Sequence, residues 1–350
     1  MNPLNSLKYL PYLFRKKFKE RYIIIESDDW GLERALNKES IDWAGRKFGK
    51  ENFSRWTTDS LESTEDLDCL YNVIEKFKDK FEYSPVITAN FITHNIDYSS
   101  ESKLNFKPLS SGYNNIENTQ IRKKYEEGIK KKFIFPQLHG YSHYNCTELE
   151  TYFDTEEGKE AFRNNFFVAK STIKKNLSFL HGEMSNRNQK AGLFIEAAKE
   201  FENYFGFKSK SFIPPTFIFD IELAKILTQN GIEMIQSSNR LVNSDKKKYM
   251  FPYYRKRKGM YWSERNARLD PHPEYKFFYE QCLNSVERAY ESSSPAVIDF
   301  HRVNFAGKYT PEYRERTLKE LEKLFEEIHK RWPDTKFIHT QKLVEILWQQ

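Results

Sequence analysis

Residues 22–31, YIIIESDDWG, constrain the chain more than any other stretch: an apolar, β-prone run stops at two adjacent carboxylates, a tryptophan and a glycine. Three isoleucines after a tyrosine fit a strand covered on both faces, the pattern of a parallel sheet flanked by helices. Barrels and open α/β sheets place ligands and catalytic groups at the carboxyl ends of their strands, so this run would deliver Asp28 and Asp29 to such an end. Aspartate is equally at home as the cap of a following helix, and residues elsewhere must separate the two readings.

Further strands are expected at residues 85–91, 133–138, 210–217, 232–237, 296–300 and 335–340, each a short apolar run bounded by polar or turn residues. Between them, helical periodicity marks Leu67, Leu70, Val73, Ile74 and Phe77, then residues 119–132, 155–179, 190–205 and 219–230. Gly206 stops one of these helices. Thr310 and Pro311 open another, whose Leu318, Leu321, Leu324, Phe325 and Ile328 share a face. A short helix at 341–349 closes the chain, residues 97–120 read as a long loop walling a cleft, and residues 259–270 fit no element cleanly. Seven strands separated largely by helices predict an α/β fold, a barrel of about seven strands, with a doubly wound sheet as the alternative.

A chain of 350 residues can bury a large core, expected as one domain over residues 21–350 behind a basic, amphipathic lead-in at residues 1–20. The 56 basic and 50 acidic residues are mixed along the sequence, a balance too mild for a nucleic-acid partner. Cys69, Cys146 and Cys282 are widely spaced and odd in number, which indicates neither a disulfide framework nor a cysteine zinc module and points to a reducing compartment. With no secretion signal and no membrane-spanning run in the sequence, a cytoplasmic location is expected. Residues 4–19 combine Leu, Tyr and Phe with Arg15, Lys16, Lys17 and Lys19, which suits either peripheral contact with an anionic membrane or packing on the barrel. The lysines at 246–248 and RKRK at 255–258 read as solvated loops or edges.

HGYSH puts His139 and His143 four residues apart, a spacing that would set two imidazoles on one face of a helical turn, close enough to share a metal. A carboxylate from elsewhere would complete the open ligand set of a catalytic divalent ion. Such a pair alone is as readily one buried and one exposed ring. What weighs for a site is that Asp28 with Asp29, His139 with His143, and His301 each follow a separate expected strand.

These residues resemble the motifs of the polysaccharide deacetylases, carbohydrate esterase family 4 with its NodB homology domain. ESDD looks like the family's Thr-Phe-Asp-Asp, which implies Asp28 as base and Asp29 as metal ligand. HGYSH is similar in spacing to His-Ser/Thr-x-x-His, with Gly140 in the hydroxyl position, and implies His139 and His143 as ligands. VIDFH resembles the last motif, a short apolar strand ending in the acid, His301. FIPPTF keeps Pro214 and Pro215 of the third motif but has Ile213 where the family's base-orienting Arg is expected; Arg265, in the unplaced WSERNAR segment, is the candidate substitute. Asp270 and Trp262 are candidates for the family's Asp and Trp near the acid. The resemblance spans residues 21–345 in motif order. It implies a distorted (β/α) barrel that removes an acetyl group from an N- or O-acetylated sugar of a polysaccharide or its precursor. The implied cofactor is one divalent metal, zinc by default, with cobalt, nickel and iron suiting the same ligands. Trp30, Tyr141 and Tyr144 flank the motifs and would stack on a pyranose ring, aromatic packing under the loops being the equal alternative. The rival readings are a non-catalytic glycan-binding protein on the same barrel and a carbohydrate-active hydrolase using paired carboxylates.

Overall fold

The computed structural model describes residues 10–79, 82–100, 103–114, 120–166, 168 and 189–349. In chain order its strands are β1 (Tyr22–Trp30), β2 (Ile87–Ile92), β3 (His94–Asp97), β4 (Asn105–Pro108), β5 (Ile134–Gly140), β6 (Ser211–Phe212), β7 (Met234–Ile235), β8 (Lys256–Arg257), β9 (Met260–Trp262), β10 (Ala267–Arg268), β11 (Ala296–Asp299) and β12 (Lys336–Phe337). β3 and β4 form an antiparallel hairpin by themselves, inside the stretch read from sequence as a loop. The other ten make one sheet in the order β10-β11-β1-β2-β5-β6-β7-β9-β8, with β12 also beside β1. All its pairs are parallel except β8 with β9. This is the α/β barrel class. The helix expected at 155–179 is Glu156–Arg163 among the described residues, and 169–188 lie outside them.

The segment that pattern reading left unplaced closes the barrel. β9 pairs with β7 and, after four intervening residues, β10 pairs with β11, so one stretch belongs to both sides of the curled sheet. Between the two strands, the amides of Ser263 and Arg265 donate to Ile235 and Ser237 at 3.0 and 2.9 Å, and that of Asn266 donates to Val297 at 3.1 Å. Strands of three and two residues are too short to show a period of two.

Alternation along the longer strands sorts their side chains. Ile23, Ile25, Ile87, Ala89, Phe91 and Ile298 point outward into the large core beneath the helices. Tyr22, Ile24, Met234 and Val297 point inward and, with Phe18, Tyr254 and Ile338, plug the amino end of the barrel. One step further along, the inward residues become polar: Glu26, Thr88, Gln137 and Gln236 are all completely buried. The barrel is thus layered, apolar at its floor and polar toward the carboxyl ends of its strands.

The lead-in is fastened to the floor. The amides of Lys16 and Phe18 donate to the carbonyls of Tyr253 and Ser293 at 3.1 and 2.8 Å, and Phe18 fills the plug. Burial there contributes about 1.5–3 kcal/mol. No helix among the described residues is long and apolar enough to cross a membrane. Buried Glu264 faces Arg15 at 3.8 Å; burial pushes its carboxyl up to about 7, against Arg15 and the Tyr12 hydroxyl. The folded state therefore binds more protons than the unfolded chain between the ordinary glutamate range and about 7, so this group's contribution to stability falls as pH rises through that window. Glu264→Gln is expected to stabilise the fold by about 1–2 kcal/mol at pH 8 and to change little at pH 4, read by urea unfolding at both pH values. An equal effect at the two would contradict the assignment.

Candidate active site

β1 changes character at its carboxyl end. Asp28 continues the inward set, and Asp29 adopts a left-handed backbone, φ 70°, at the register shift between β1 and β2. His143 does the same at φ 71°. Asp and His tolerate this region better than most residues, and such strain concentrates at functional sites. The helical turn expected of HGYSH is absent: His139 lies at the end of β5, Gly140 has φ 137°, and a bend returns the chain through His143. That backbone accounts for glycine in the motif's hydroxyl position, because an L side chain would be strained there.

Nε2 of His139 and of His143 lie 3.4 and 3.5 Å from Asp29 Oδ1. Nδ1 of His139 donates to the carbonyl of Ile213 at 2.9 Å, a bond that leaves the lone pair on Nε2, facing Asp29. Asp29 Oδ1 is buried without a hydrogen bond of normal geometry, a costly state for an anion unless a cation meets it. One carboxylate oxygen and two imidazole nitrogens within 4.8 Å of one another form a group that can hold a divalent ion. Behind them, Arg34 reaches Asp29 Oδ2 at 3.2 Å and is itself held by Asp59 at 2.8 Å. Burial pushes the Asp29 carboxyl up, but Arg34 and the imidazoles outweigh it and hold the group well below the ordinary range.

Arg265 organises the other half of the site. Its guanidinium forks Asp28 with bonds of 2.7 and 2.6 Å and also reaches Glu26 at 2.7 Å and Asp299 at 3.2 Å. Asn90 donates to Asp28 Oδ1 at 2.8 Å and exchanges amide bonds with Gln236. Burial opposes ionisation of Asp28, yet Arg265, His139 and His301 overcome it and lower the carboxyl's pKa. Asp299 is likewise held low against burial, by His301, Arg265 and Arg240. His301 keeps 18% of its side chain exposed, with Nδ1 3.1 Å from Asp299 Oδ1 and Nε2 3.8 Å from Asp28 Oδ2. The half-buried Trp56 meets the His301 ring edge-on at 5.4 Å.

Asp28, Asp29, His139, His143, Arg265 and His301 therefore share one mouth of the barrel, and the proposed stacking residues do not. Trp30 is completely buried, its Nε1 donating to Ser27 at 2.8 Å, and Trp262 is packed among Phe219, Tyr249 and Phe251. Tyr141 stacks on His94 at 3.9 Å, and Tyr144 is buried beneath the loops. Pro214 and Pro215 are buried; they lead into a turn in which Thr216 and Phe217 both have φ 57°, with the Phe217 ring 5.8 Å from Arg265. Asp270 is occupied by Arg55 and Arg268, and Asp299 is the carboxylate beside His301. Sequence reasoning missed Glu26, Asn90, Gln236, Asp299, Arg34 and Trp56. A signal for Glu26, Asn90 and Asp299 exists: a polar residue stands two positions before each site residue, in Glu26–Asp28, Thr88–Asn90, Gln137–His139 and Asp299–His301.

Comparison with known proteins bears on the fold. Residues 195–347 match the family model of glycosyl hydrolase family 57. No curated protein sequence matches the chain. A solved structure from Parabacteroides distasonis, assigned to the glycoside hydrolase/deacetylase type, aligns with a TM-score of 0.53 at 9% identity, covering 94% of this chain and 71% of its own. The 4-alpha-glucanotransferase of Thermococcus litoralis aligns at 0.46 and 12% identity over 94% of this chain, which spans only 40% of that enzyme. The peptidoglycan deacetylase PdaC of Bacillus subtilis aligns at 0.40 and 8%, covering 95% and 93%. The fold is the glycoside hydrolase/deacetylase (β/α) barrel.

Removing Arg265 would leave Glu26, Asp28 and Asp299 buried around an absent cation. Arg265→Met is expected to destabilise the fold by about 3–5 kcal/mol in guanidinium unfolding, with Arg265→Lys recovering only part because an ammonium cannot fork a carboxylate. A neutral Arg265→Met would remove Arg265 as the keystone of the site.

Proposed function

We propose that the chain is a divalent-metal-dependent deacetylase of N- or O-acetylated sugars, acting on a polysaccharide or its precursor. One observation carries the reading: beside the Asp29, His139 and His143 group stand a buried carboxylate, Asp28, and a partly exposed imidazole, His301, 3.8 Å apart at their nearest atoms. A glycan-binding module has little use for a base and an acid so placed. The number and spacing of Cys69, Cys146 and Cys282 fit a reducing compartment, which favours a precursor over a finished extracellular polymer.

Zinc, or cobalt, nickel or iron, held by Asp29, His139 and His143 would supply an activated water and polarise the acetyl carbonyl. Asp28, kept ionised and oriented by Arg265 and Asn90, accepts the proton of the attacking water. As the oxygen bonds to the carbonyl carbon and the C–N or C–O bond breaks, His301 gives its Nε2 proton to the leaving nitrogen or oxygen. Asp299, against Nδ1, fixes the ring so that Nε2 points toward Asp28. The products are acetate and a sugar amine or alcohol. Trp56, next to His301, is the aromatic side chain best placed to border the sugar.

The family 57 match favours a glycosidase as the second reading. That chemistry needs one carboxyl kept protonated as an acid near neutrality. Asp28 and Asp299 share Arg265 and both lie below the ordinary range, which weighs against it.

Metal analysis and acetate release from acetylated sugars test the proposal together. Asp29→Ala and His143→Ala are expected to lose both metal and activity. Asp28→Asn and His301→Ala should keep the metal and lose activity by about a hundred- to ten-thousandfold each. Metal retained with no turnover of any acetylated sugar would favour the binding protein; a folded protein that takes up no metal would overturn the site.

A further inference from the structure

Two basic stretches more than two hundred residues apart, 15–19 and 255–258, are laid side by side by the fold. Besides the Lys16 bond to Tyr253, the amide of Tyr253 donates to Pro11 at 3.2 Å and Arg255 Nε donates to the carbonyl of Phe14 at 3.4 Å. Lys17, Lys19 and all four residues of 255–258 are exposed. The crowding is visible in Lys16, whose pKa is lowered by burial and then by Arg255. Adjacent to these cations, Leu13 is 72% and Phe14 60% exposed. The nearby acids do little to neutralise the patch: Glu264 is buried and drawn toward protonation, and Glu20 is bonded to Lys336 and Tyr22.

We propose that this face docks on an anionic phospholipid surface, with Leu13 and Phe14 entering the headgroup boundary and Lys16, Lys17 and residues 255–258 meeting lipid phosphates. Apolar side chains bordered by lysine and arginine are the composition that interfacial binding requires. Nucleic acid would use the cations but gain little from an exposed leucine. The inference is independent of the deacetylase reading and has a consequence for it. Residues 10–19 precede β1 and residues 255–258 precede or open onto β9, so the patch lies at the amino ends of the parallel strands, whereas Asp28, His139 and His301 lie at the carboxyl ends. A docked barrel turns its catalytic mouth away from the lipid and meets its substrate from the aqueous side.

The test is co-sedimentation of the full chain with vesicles of phosphatidylcholine alone and of phosphatidylcholine with about 30% phosphatidylserine, at low and high salt. Binding is expected to the anionic vesicles only and to weaken with salt. Removing two charges in Arg255→Gln with Lys256→Gln should lower the partition roughly twenty-fivefold, at about fivefold per charge. Leu13→Ser with Phe14→Ser should also lower it, while unfolding midpoints stay unchanged for both variants. Absence of binding to anionic vesicles, indifference to either double variant, or retention on heparin or duplex DNA without vesicle binding would each overturn the proposal.

Discussion

Three carboxylates inside one barrel, Glu26, Asp28 and Asp299, are the constraint on which the rest of the structure depends, and Arg265 is what makes it tolerable. Each buried anion would carry a desolvation penalty of several kcal/mol if left unpaired. A single planar guanidinium offers five donors and serves all three, with both oxygens of Asp28 forked. Because Arg265 lies on the segment that runs from β9 to β10, barrel closure and the site's charge balance are the same event. Neither side of the sheet can be brought together without delivering the cation that its inward carboxylates require.

This placement explains how the third motif can lack its arginine. Ile213 turns its side chain into the core and keeps a role through its backbone, the carbonyl that fixes the tautomer of His139. The orienting cation arrives instead from a segment some fifty residues later in the chain. What buried Asp28 needs is a guanidinium at a given point in space, and its origin along the sequence is secondary. The Thr216–Phe217 turn, strained at both residues, still contributes by setting the Phe217 ring between Arg240 and Arg265, at 4.5 and 5.8 Å.

What was legible in the sequence follows from element length and from the abruptness of polarity changes. β1, β2, β5 and β11 stood out because each ends an apolar run at polar residues, and the long helix Pro311–Arg331 because its apolar face persists through about three turns. β9 and β10 were unreadable because neither is long enough to carry a period. The hairpin of β3 and β4 was hidden for another reason: most of its residues are polar, including the buried His94 and Asn95, and β4 is only partly buried, so no run of apolar residues marks it. Reading YIIIESDD as covered on both faces obscured its alternation, in which Ile24, Glu26 and Asp28 all face inward. The aromatic residues misled for a related reason. Trp30 and Trp262 adjoin chemistry-bearing residues in sequence, but their strand positions send them outward, whereas Trp56 reaches His301 from a short helical turn with no motif beside it.

The two acids next to His301 and His139 show how far position alone sets chemical role. Asp28 and Asp29 are neighbours in sequence, equally buried and both held below the ordinary carboxylate range, yet their surroundings divide them. Asp28 stays in the inward register of β1, where Arg265 and Asn90 occupy its oxygens and fix its orientation. Asp29 has left that register through its positive φ, which swings Oδ1 toward two imidazole nitrogens and leaves it without a donor. One oxygen faces two imidazoles in a group that could hold a cation, while the carboxylate beside it is clamped by a guanidinium and an amide. A single left-handed residue at the end of a strand is thus enough to set a repeated side chain in two different environments.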